Sequence, residues 1–475
     1  MFWLTIALFI FIFQMATILI AEFRHPSKAV AWQLILFVFP VIGFVMYYFM
    51  AREFQRRRTV RKRRVVAEEA RLQALRRCKL IHRASELGGG EFMHQHRLFH
   101  LLQNSAQFPI TGCNQTVVLN NGEQTFDTIL AAMKQAKHHI HLEYYTIRDD
   151  EVGRRFKAVM IEKANEGVQI RVIFDGLGSY ELSSAYISDL QAAGIKVQCF
   201  LTPRIAFFEK RMNYRNHRKI VVVDGLTGFV GGINIGEEYL GRNKKLGYWR
   251  DTHLQITGDA VYSLQDVFTR DWWFTARERL SDQSYWPQHH CQEQKQVQIV
   301  SSGPDSSANA ILECVFNGLA VANNRIYITT PYFIPDISIL MALRTAALSG
   351  VDVRLIIPEV SDSKFVLYAS LSYVEDMLTA GVRIYRYQKG FIHSKVIIID
   401  KLFASVGTAN MDMRSFFSNF ELNALLFDEQ TVDELAEQFH DDLRSCKELY
   451  LSEFEQRPRW QKLGEIAAHM LSPLL

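Results

Sequence analysis

The sequence predicts an α/β protein of two similar units, each a mixed sheet flanked by helices, preceded by a two-helix transmembrane hairpin. Three observations lead to this fold class. A motif of the form H-x-K-x4-D occurs twice, both copies lie in the same alternation of strands and helices, and two long apolar runs open the chain. If the two units are related by a pseudo-two-fold axis, both motifs meet in one cleft.

The hairpin is predicted over residues 1–51. Residues 2–21 and 31–50 are almost wholly apolar, and each run has about the 20 residues that a helix needs to cross the hydrocarbon core. A polar turn with Pro26 separates them. A cleaved signal peptide is the alternative for the first run, but that run is long and a second one follows at once.

A basic segment follows the hairpin and opens a linker over residues 52–110. Residues 52–64 hold eight Arg or Lys and one Glu, so this segment carries +7 of a chain whose net charge is +4, and the remainder sums to −3. By the positive-inside rule, the segment and everything after it are expected on the cytoplasmic side. Because the basic excess is local, the sequence argues against a nucleic-acid partner.

The first unit is expected over residues 111–295. Its β-branched and apolar runs predict buried strands, and its amphipathic stretches predict helices. The strands are expected over residues 139–145, 168–174, 195–200 and 219–223, and the helices over 149–164 and 182–193.

The second unit, over residues 296–450, repeats this order. Strands are expected over residues 325–329, 351–357, 382–387 and 396–399, and helices over 338–349 and 364–380. Residues 451–475 form an amphipathic tail that either lies at the membrane interface or packs on the protein.

The six cysteines are scattered along the chain and form no C-x-x-C pair. We therefore expect reduced core thiols rather than a disulfide framework or a zinc site. They are Cys78, Cys113, Cys199, Cys291, Cys314 and Cys446.

The candidate site combines the two motifs. His217 and Lys219, like His393 and Lys395, are two residues apart at the start of an apolar strand, so each pair can face one side. Each motif is followed by a small-residue turn that ends in an asparagine, at Asn234 and Asn410. The predicted site therefore holds two imidazoles, two ammonium groups and two amides.

This set of groups suits the transfer of a phosphodiester. Two lysines can neutralise the phosphate and stabilise its five-coordinate transition state. One histidine can attack phosphorus and form a phosphohistidine, while the other donates a proton to the leaving alkoxide and later accepts one from the incoming alcohol. No metal ion, cofactor or nucleotide is required, and no P-loop occurs in the chain.

Carboxylates are expected to orient the imidazoles. Glu421, which follows Asn410 by eleven residues, is the candidate for His393, and Asp251 is the candidate in the first unit, for His217. Asp224 and Asp400 have the opposite strand parity to their motif histidines, so they are expected to brace the turns.

The paired motifs resemble the signature of the phospholipase D superfamily, and the chain is most similar to its bacterial cardiolipin synthases. The resemblance rests on "RMNYRNHRKIVVVDG", "GGINIGEEYLG", "WRDTHLQITG", "TTPYFIP", "GTANMDMRS" and the C-terminal "RPRWQKLGEIAAHMLSPLL". It implies two phospholipase D-type units whose active site contains His217, Lys219, Asp224, His393, Lys395 and Asp400. One departure is Gly232, where serine is frequent in the superfamily; Thr408 holds that place in the second motif.

The resemblance also implies an activity and a location. Two phosphatidylglycerol molecules would give cardiolipin and glycerol in the bacterial inner membrane, with a multi-pass anchor and a cytoplasmic catalytic region. It implies His217 as the nucleophile and His393 as the acid. The alternatives are a hydrolytic phospholipase D, a phosphatidyltransferase with another donor such as phosphatidylethanolamine, and a membrane-tethered nuclease. The oligomeric state is not predicted.

Overall fold

The computed structural model describes residues 2–22, 26–50, 68–87, 90–202, 213–306 and 308–474. The predicted basic segment 52–64 lies outside these residues. The N-terminal region holds the helices Phe2–Ala21, Pro26–Val38 and Pro40–Met50. Among the described residues, no helix combines the length and the apolar character needed to span a membrane.

The second apolar run differs from its prediction. A single helix was expected over residues 31–50, but the chain breaks at Phe39 and starts a new helix at Pro40. Proline lacks the N–H that would continue the helical ladder, and its ring clashes with the preceding turn. The helices on either side of the break still pack together, since the rings of Trp32 and Tyr47 lie 5.4 Å apart.

Eight strands belong to the first half of the chain. They are β1 (Thr111–Asn120), β2 (His139–Tyr144), β3 (Gln169–Asp175), β4 (Lys196–Phe200), β5 (Ile220–Val223), β6 (Thr227–Gly231), β7 (Tyr248–Arg250) and β8 (Thr252–Gly258). The helices that accompany them are Asn121–Lys134, Glu151–Asn165, Ser184–Ala192 and Ala260–Ala276. Asp150 caps the second of these helices by accepting a hydrogen bond from the N–H of Gly153, as acidic N-caps do.

The second half repeats the pattern with eleven strands. They are β9 (Lys295–Ser302), β10 (Arg325–Thr329), β11 (Phe333–Ile334), β12 (Asp352–Pro358), β13 (Arg383–Tyr387), β14 (Gly390–Ile392), β15 (Val396–Ile399), β16 (Phe403–Gly407), β17 (Met411–Asp412), β18 (Glu421–Leu426) and β19 (Cys446–Leu449). The main helices are Ala310–Val321, Ile337–Leu348, Lys364–Leu371, Val374–Thr379, Met413–Phe417, Glu429–Leu443 and Arg459–Leu471. The single helix predicted over residues 364–380 was therefore wrong, because two helices meet near Tyr373.

The order of the strands shows the internal symmetry. One ladder runs β4-β3-β2-β5-β6-β8-β1-β9-β18-β16-β15-β10-β12-β13, and β19 is added at its far edge. Each strand on one side of the central antiparallel β1–β9 pair has its counterpart at the same distance on the other side. This arrangement is the pseudo-two-fold relation that the repeated motif predicts.

The two motif strands are buried on both faces. In β5, Val221 and Val223 pack into the core of the first half, while Val222 packs into a cluster shared with the second half. In β15, Ile399 packs into the core of the second half, and Ile398 packs into the shared cluster. Strands buried on both sides have little freedom to shift, so the polar residues at their starts are held firmly in place.

The expectation of six reduced thiols was wrong for one pair. Cys113 and Cys291 form a disulfide, with their Cα atoms 5.2 Å apart. The pairing of β1 with β9 brings them together, since Asn114 lies opposite Lys295 in that pair. Their separation along the chain hides this proximity from the sequence. Cys78, Cys199, Cys314 and Cys446 are free.

Candidate active site

The segment before each motif strand is hydrogen-bonded to the other half of the molecule. The backbone N–H of His217 donates to the carbonyl of Phe420 at 3.0 Å, and that of His393 donates to the carbonyl of Arg250 at 2.7 Å. Short parallel pairings accompany these bonds, between β14 and β7 and between Asn216 and Phe420. The two motifs therefore meet where short strands of the two halves pair with each other.

Because of this pairing, the carboxylate that orients each histidine comes from the other half of the chain. His217 Nδ1 lies 3.0 Å from Glu421 Oε2, and His393 Nδ1 lies 2.8 Å from Asp251 Oδ2. The sequence predicted both residues but assigned each to the wrong histidine. The reason is geometric: Glu421 directly follows Phe420, which pairs beside His217, and Asp251 directly follows Arg250, which pairs beside His393.

The two carboxylates are held differently. Glu421 accepts hydrogen bonds from the Thr408 hydroxyl at 2.5 Å and from the Asn419 amide at 3.2 Å. Asp251 accepts from the backbone N–H of Thr252 at 2.8 Å. Burial alone would raise the pKa of both carboxyls, but the facing imidazoles outweigh it and lower the pKa of each below its usual value. Both are therefore charged at neutral pH.

Gly232 explains the asymmetry between the two carboxylates. A Cβ at this position would lie 2.1 Å from Asp251 Oδ1, so only glycine leaves room for the carboxylate. Aspartate is one methylene shorter than glutamate and sits closer to its own backbone, which places its oxygens against residue 232. In the other half, the longer Glu421 leaves room for Thr408 and uses its hydroxyl.

Burial favours the neutral form of both imidazoles. Burial lowers the pKa of His217 and lowers that of His393 to about 4, although a carboxylate opposes the shift in each case. With Nδ1 bound to a carboxylate, Nε2 of each ring is the nitrogen left for substrate. The side chains are 12% and 9% exposed, so both can be reached from the cleft.

The two lysines complete the motifs. Lys219 Nζ donates to the carbonyl of His217 at 2.8 Å, and Lys395 Nζ donates to that of His393 at 2.6 Å. Burial lowers the pKa of Lys219 to about 7 and that of Lys395 to about 8. A bound anion would restore their charge, because it favours the protonated form of a nearby amine.

The two motif aspartates stand at the far ends of their strands. Asp224 accepts hydrogen bonds from the backbone N–H groups of residues 137, 138 and 139, and Asp400 accepts from those of residues 323, 324 and 325. Both have positive φ angles, of 54° and 48°. They brace turns roughly 20 Å from the histidines, as their strand parity predicts, while the active-site role that the resemblance implies stays a prediction.

The two asparagines serve mainly to hold loops. Asn234 accepts from the N–H of Thr146 at 3.2 Å and donates to the Tyr239 hydroxyl at 2.9 Å. Asn410 donates to Asp412 at 3.1 Å, and its buried Oδ1 has no partner among the described residues. Of the two amides predicted to face the substrate, only that of Asn410 keeps an unused polar atom.

Sequence reasoning missed Arg218, which lies between the histidine and the lysine of the first motif. Its buried guanidinium forms an ion pair with Asp271 and donates to the Ser301 hydroxyl at 2.7 Å and the Ser302 carbonyl at 3.1 Å. It therefore ties the first motif to β9 in the other half. The sequence did contain a signal for this role: Arg218 is the next residue after His217 in an extended segment, so its side chain is expected on the opposite face. Across the described ranges, no group of three or more His, Cys, Asp or Glu side chains could hold a metal ion.

Comparisons with known proteins agree with this geometry. The family model for the cardiolipin synthase, phospholipase D-like domain matches residues 129–272 and 315–443, which contain both motifs. The model for the phospholipase D-nuclease N-terminal region matches residues 3–52.

Individual relatives extend the likeness over almost the whole chain. The cardiolipin synthase of Geobacillus kaustophilus (strain HTA426) is 43% identical over 462 residues, which cover 97% of this chain and 91% of the relative. The major cardiolipin synthase of Bacillus subtilis (strain 168) is 39% identical over 469 residues and 96% of each chain. Among solved structures, the phosphatidylserine synthase of Haemophilus influenzae Rd KW20 has a TM-score of 0.63 at 16% identity, covering 80% of this chain and 100% of its own, and shares the fold. The chain belongs to the cardiolipin synthase family of the phospholipase D superfamily.

Proposed function

We propose that this protein is a phosphatidyltransferase that converts two phosphatidylglycerol molecules into cardiolipin and glycerol. The observation that carries the proposal is the pair of imidazoles, each bound at Nδ1 by a carboxylate from the other half of the chain. Two such groups are what a double displacement at phosphorus requires, and the family match supplies the class of substrate.

The first step forms a covalent intermediate. His217 Nε2 attacks the phosphorus of the donor lipid, the bond to the glycerol oxygen breaks, and His393 donates a proton to the leaving glycerol. Burial lowers the pKa of His393 to about 4 in the empty site, and the bound anionic phosphodiester favours its protonated form. Lys219 and Lys395 stabilise the charge that develops on the phosphate oxygens.

The second step transfers the phosphatidyl group. His393, now neutral, takes a proton from the glycerol hydroxyl of a second phosphatidylglycerol. That oxygen attacks the phosphohistidine, the P–N bond breaks, and cardiolipin forms. The assignment of His217 as nucleophile follows the superfamily resemblance. Trapping the intermediate in a His217→Ala variant would reverse the two roles, whereas its loss in that variant supports them.

Incubation with a single lipid tests the activity. Purified full-length protein with phosphatidylglycerol in mixed micelles should release cardiolipin and glycerol in equal amounts. Phosphatidic acid as the sole lipid product would identify a hydrolytic phospholipase D instead. Turnover only after phosphatidylethanolamine is added would identify a different donor, and cleavage of nucleic acid with no lipid turnover would identify a nuclease.

We also propose that residues 2–50 attach the protein to the cell membrane as a hairpin, with the catalytic region in the cytoplasm. Large apolar side chains on these helices are exposed, among them Phe9, Phe13, Phe37 and Val41 at 68–74% of their area. Removing such surface from water is favourable by about 25 cal/mol per Å². Although no single described helix meets the requirement for spanning, Pro26–Val38 and Pro40–Met50 follow one another with one residue between them.

Labelling of a cysteine at residue 70 in intact cells tests this topology. The proposal requires protection from an impermeant reagent until the membrane is opened. Labelling in intact cells would place the catalytic region outside, and recovery of the protein in the soluble fraction would remove the membrane attachment.

A further inference from the structure

Two arginines from opposite halves of the chain meet beside His217. Arg215 lies two residues before His217, and Arg414 lies on the helix Met413–Phe417 of the second half. Arg414 Nη2 donates to the carbonyl of Asn213 at 3.0 Å, which brings its guanidinium to the segment that carries Arg215. Both side chains are half-buried.

The alternation of side chains along this segment directs Arg215 to the catalytic side. Asn216 donates to Glu143 at 2.5 Å, and Arg218 pairs with Asp271, so both even-numbered side chains point into the core. His217 and Lys219 point the other way, into the cleft. Arg215 has their parity and lies about 7 Å along the chain from His217, given the rise of about 3.3 Å per residue in extended backbone.

Tyr145 connects the arginines with the nucleophile. Its ring lies 5.1 Å from that of His217, in an edge-to-face arrangement. Its hydroxyl is also close enough to Arg215 and Arg414 to interact electrostatically with both. Tyr145 therefore links the arginine pair to His217.

The guanidinium groups of this pair are not held in ion pairs within the described part of the chain. The hydrogen bonds of both guanidinium groups go to backbone carbonyls, Arg215 to that of Tyr214 at 2.6 Å and Arg414 to that of Asn213. Neither forms an ion pair with a described carboxylate, in contrast to Arg250, which pairs with Asp442 at 2.8 Å.

Asp175, a carboxylate that interacts electrostatically with Arg215, is already engaged in hydrogen bonds. It accepts hydrogen bonds from the backbone N–H groups of Leu177, Gly178 and Asn216, at 2.9–3.0 Å. Burial and the neighbouring charge of Arg414 lower the pKa of Arg215, which Asp175 opposes only in part. Two neighbouring half-buried guanidinium groups, each with one hydrogen bond to the described residues, offer a site for an anion, and their planar forks match a phosphate.

We propose that Arg215 and Arg414 bind the phosphodiester of the acceptor phospholipid while its hydroxyl attacks the phosphorus held on His217. The inference rests on the proposed function and adds what selects the acceptor. In cardiolipin the two phosphates are joined by one glycerol, so an acceptor whose phosphate sits on the arginines has its free hydroxyl beside the neighbouring histidine. Water and free glycerol lack a phosphate and gain nothing from this contact, so the pair favours a lipid alcohol over both.

Two acceptors that differ in this phosphate provide the test. In one reaction the full-length enzyme makes cardiolipin from phosphatidylglycerol. In the other it exchanges labelled glycerol into phosphatidylglycerol, which uses the same donor, histidines and lysines but an acceptor without phosphate. We expect Arg215→Gln and Arg414→Gln each to raise the KM for the acceptor lipid by about tenfold to a hundredfold. Glycerol exchange should stay within a few-fold of wild type.

Two further variants and the wild type make the outcome unambiguous. Arg414→Lys should recover part of the loss, because it keeps the charge without the planar fork. Arg354→Gln, at an arginine paired with Asp352 on β12, should change neither reaction. Equal loss of both reactions in the Arg215 and Arg414 variants, or no loss in either, would overturn the acceptor site. If the wild type shows neither reaction, the proposed function itself fails.

Discussion

Replacing Gly232 by alanine should disable His393 without touching it. The new Cβ would lie 2.1 Å from Asp251 Oδ1 and 2.9 Å from Oδ2, whereas ordinary contacts of this kind are 3.4–4 Å. The carboxylate must therefore retreat by about 1 Å, and displacements of that size can cost about 10²-fold in rate. Asp251 has nowhere to relax, since it is fully buried and bonded to both His393 and the Thr252 N–H.

We expect kcat for cardiolipin formation to fall by about 10²-fold, equivalent to about 2.7 kcal/mol of transition-state stabilisation. The KM should change little, because Asp251 acts through the imidazole rather than on the lipid. Overpacking of this kind should also lower the free energy of unfolding by about 1–3 kcal/mol. Steady-state assays in mixed micelles, with thermal unfolding of the same samples, measure both effects.

The matched control is Gly464→Ala. A Cβ at residue 464 meets only the Tyr368 ring, at 3.5 Å or more, in the helix Arg459–Leu471. It should leave kcat unchanged and raise the stability of that helix slightly. A folded Gly232→Ala enzyme with wild-type kcat would refute the reasoning, because His393 would then not depend on the position of Asp251.

Three other perturbations have defined outcomes. Asp224→Ala removes an acceptor of three backbone hydrogen bonds and should lower the free energy of unfolding, measured by chemical denaturation, by about 3 kcal/mol. The folded fraction should keep its kcat within about tenfold. A large loss of kcat at normal stability would show that Asp224 acts in the active site. Glu421→Gln places an amide where the carboxylate now accepts hydrogen bonds from neighbouring donors and binds His217. Rapid-quench measurements should therefore show phosphohistidine formation slowed by about 10²- to 10⁴-fold. An unchanged rate would contradict the pairing of Glu421 with His217. Because burial lowers the pKa of Lys219 to about 7 and that of Lys395 to about 8, kcat/KM should fall as pH rises through this range and the free enzyme loses both charges; a profile that stays flat from about pH 7 to 9 would show that these charges are not needed.

The sequence reveals most of the elements whose signal is local. The strands β10 and β15 begin and end where their apolar β-branched runs do, and β5 begins one residue later than predicted. The central strands β1, β8, β9 and β18 carry no such run and were not predicted. Their position depends on pairings between distant segments, such as β1 with β9, which no window of sequence contains.

The candidate site shows the same division. The histidines, lysines and both orienting carboxylates could be identified from motif and spacing. Their pairing could not, because proximity along the chain favours Glu421 for His393, while the structure binds it to His217 at 3.0 Å. Only the pairing of short strands between the halves determines which carboxylate reaches which imidazole.

The crossed carboxylates have a consequence for the origin of the protein. A unit with one motif contains a histidine whose carboxylate partner belongs to a second copy, so such a unit acquires an oriented imidazole only on association. Duplication and fusion would then have joined two chains that already worked as a homodimer, rather than assembling activity after fusion. Divergence of the copies after fusion would then have had to change two positions together in each half, because Asp251 needs the space left by Gly232 and Glu421 uses the hydroxyl of Thr408.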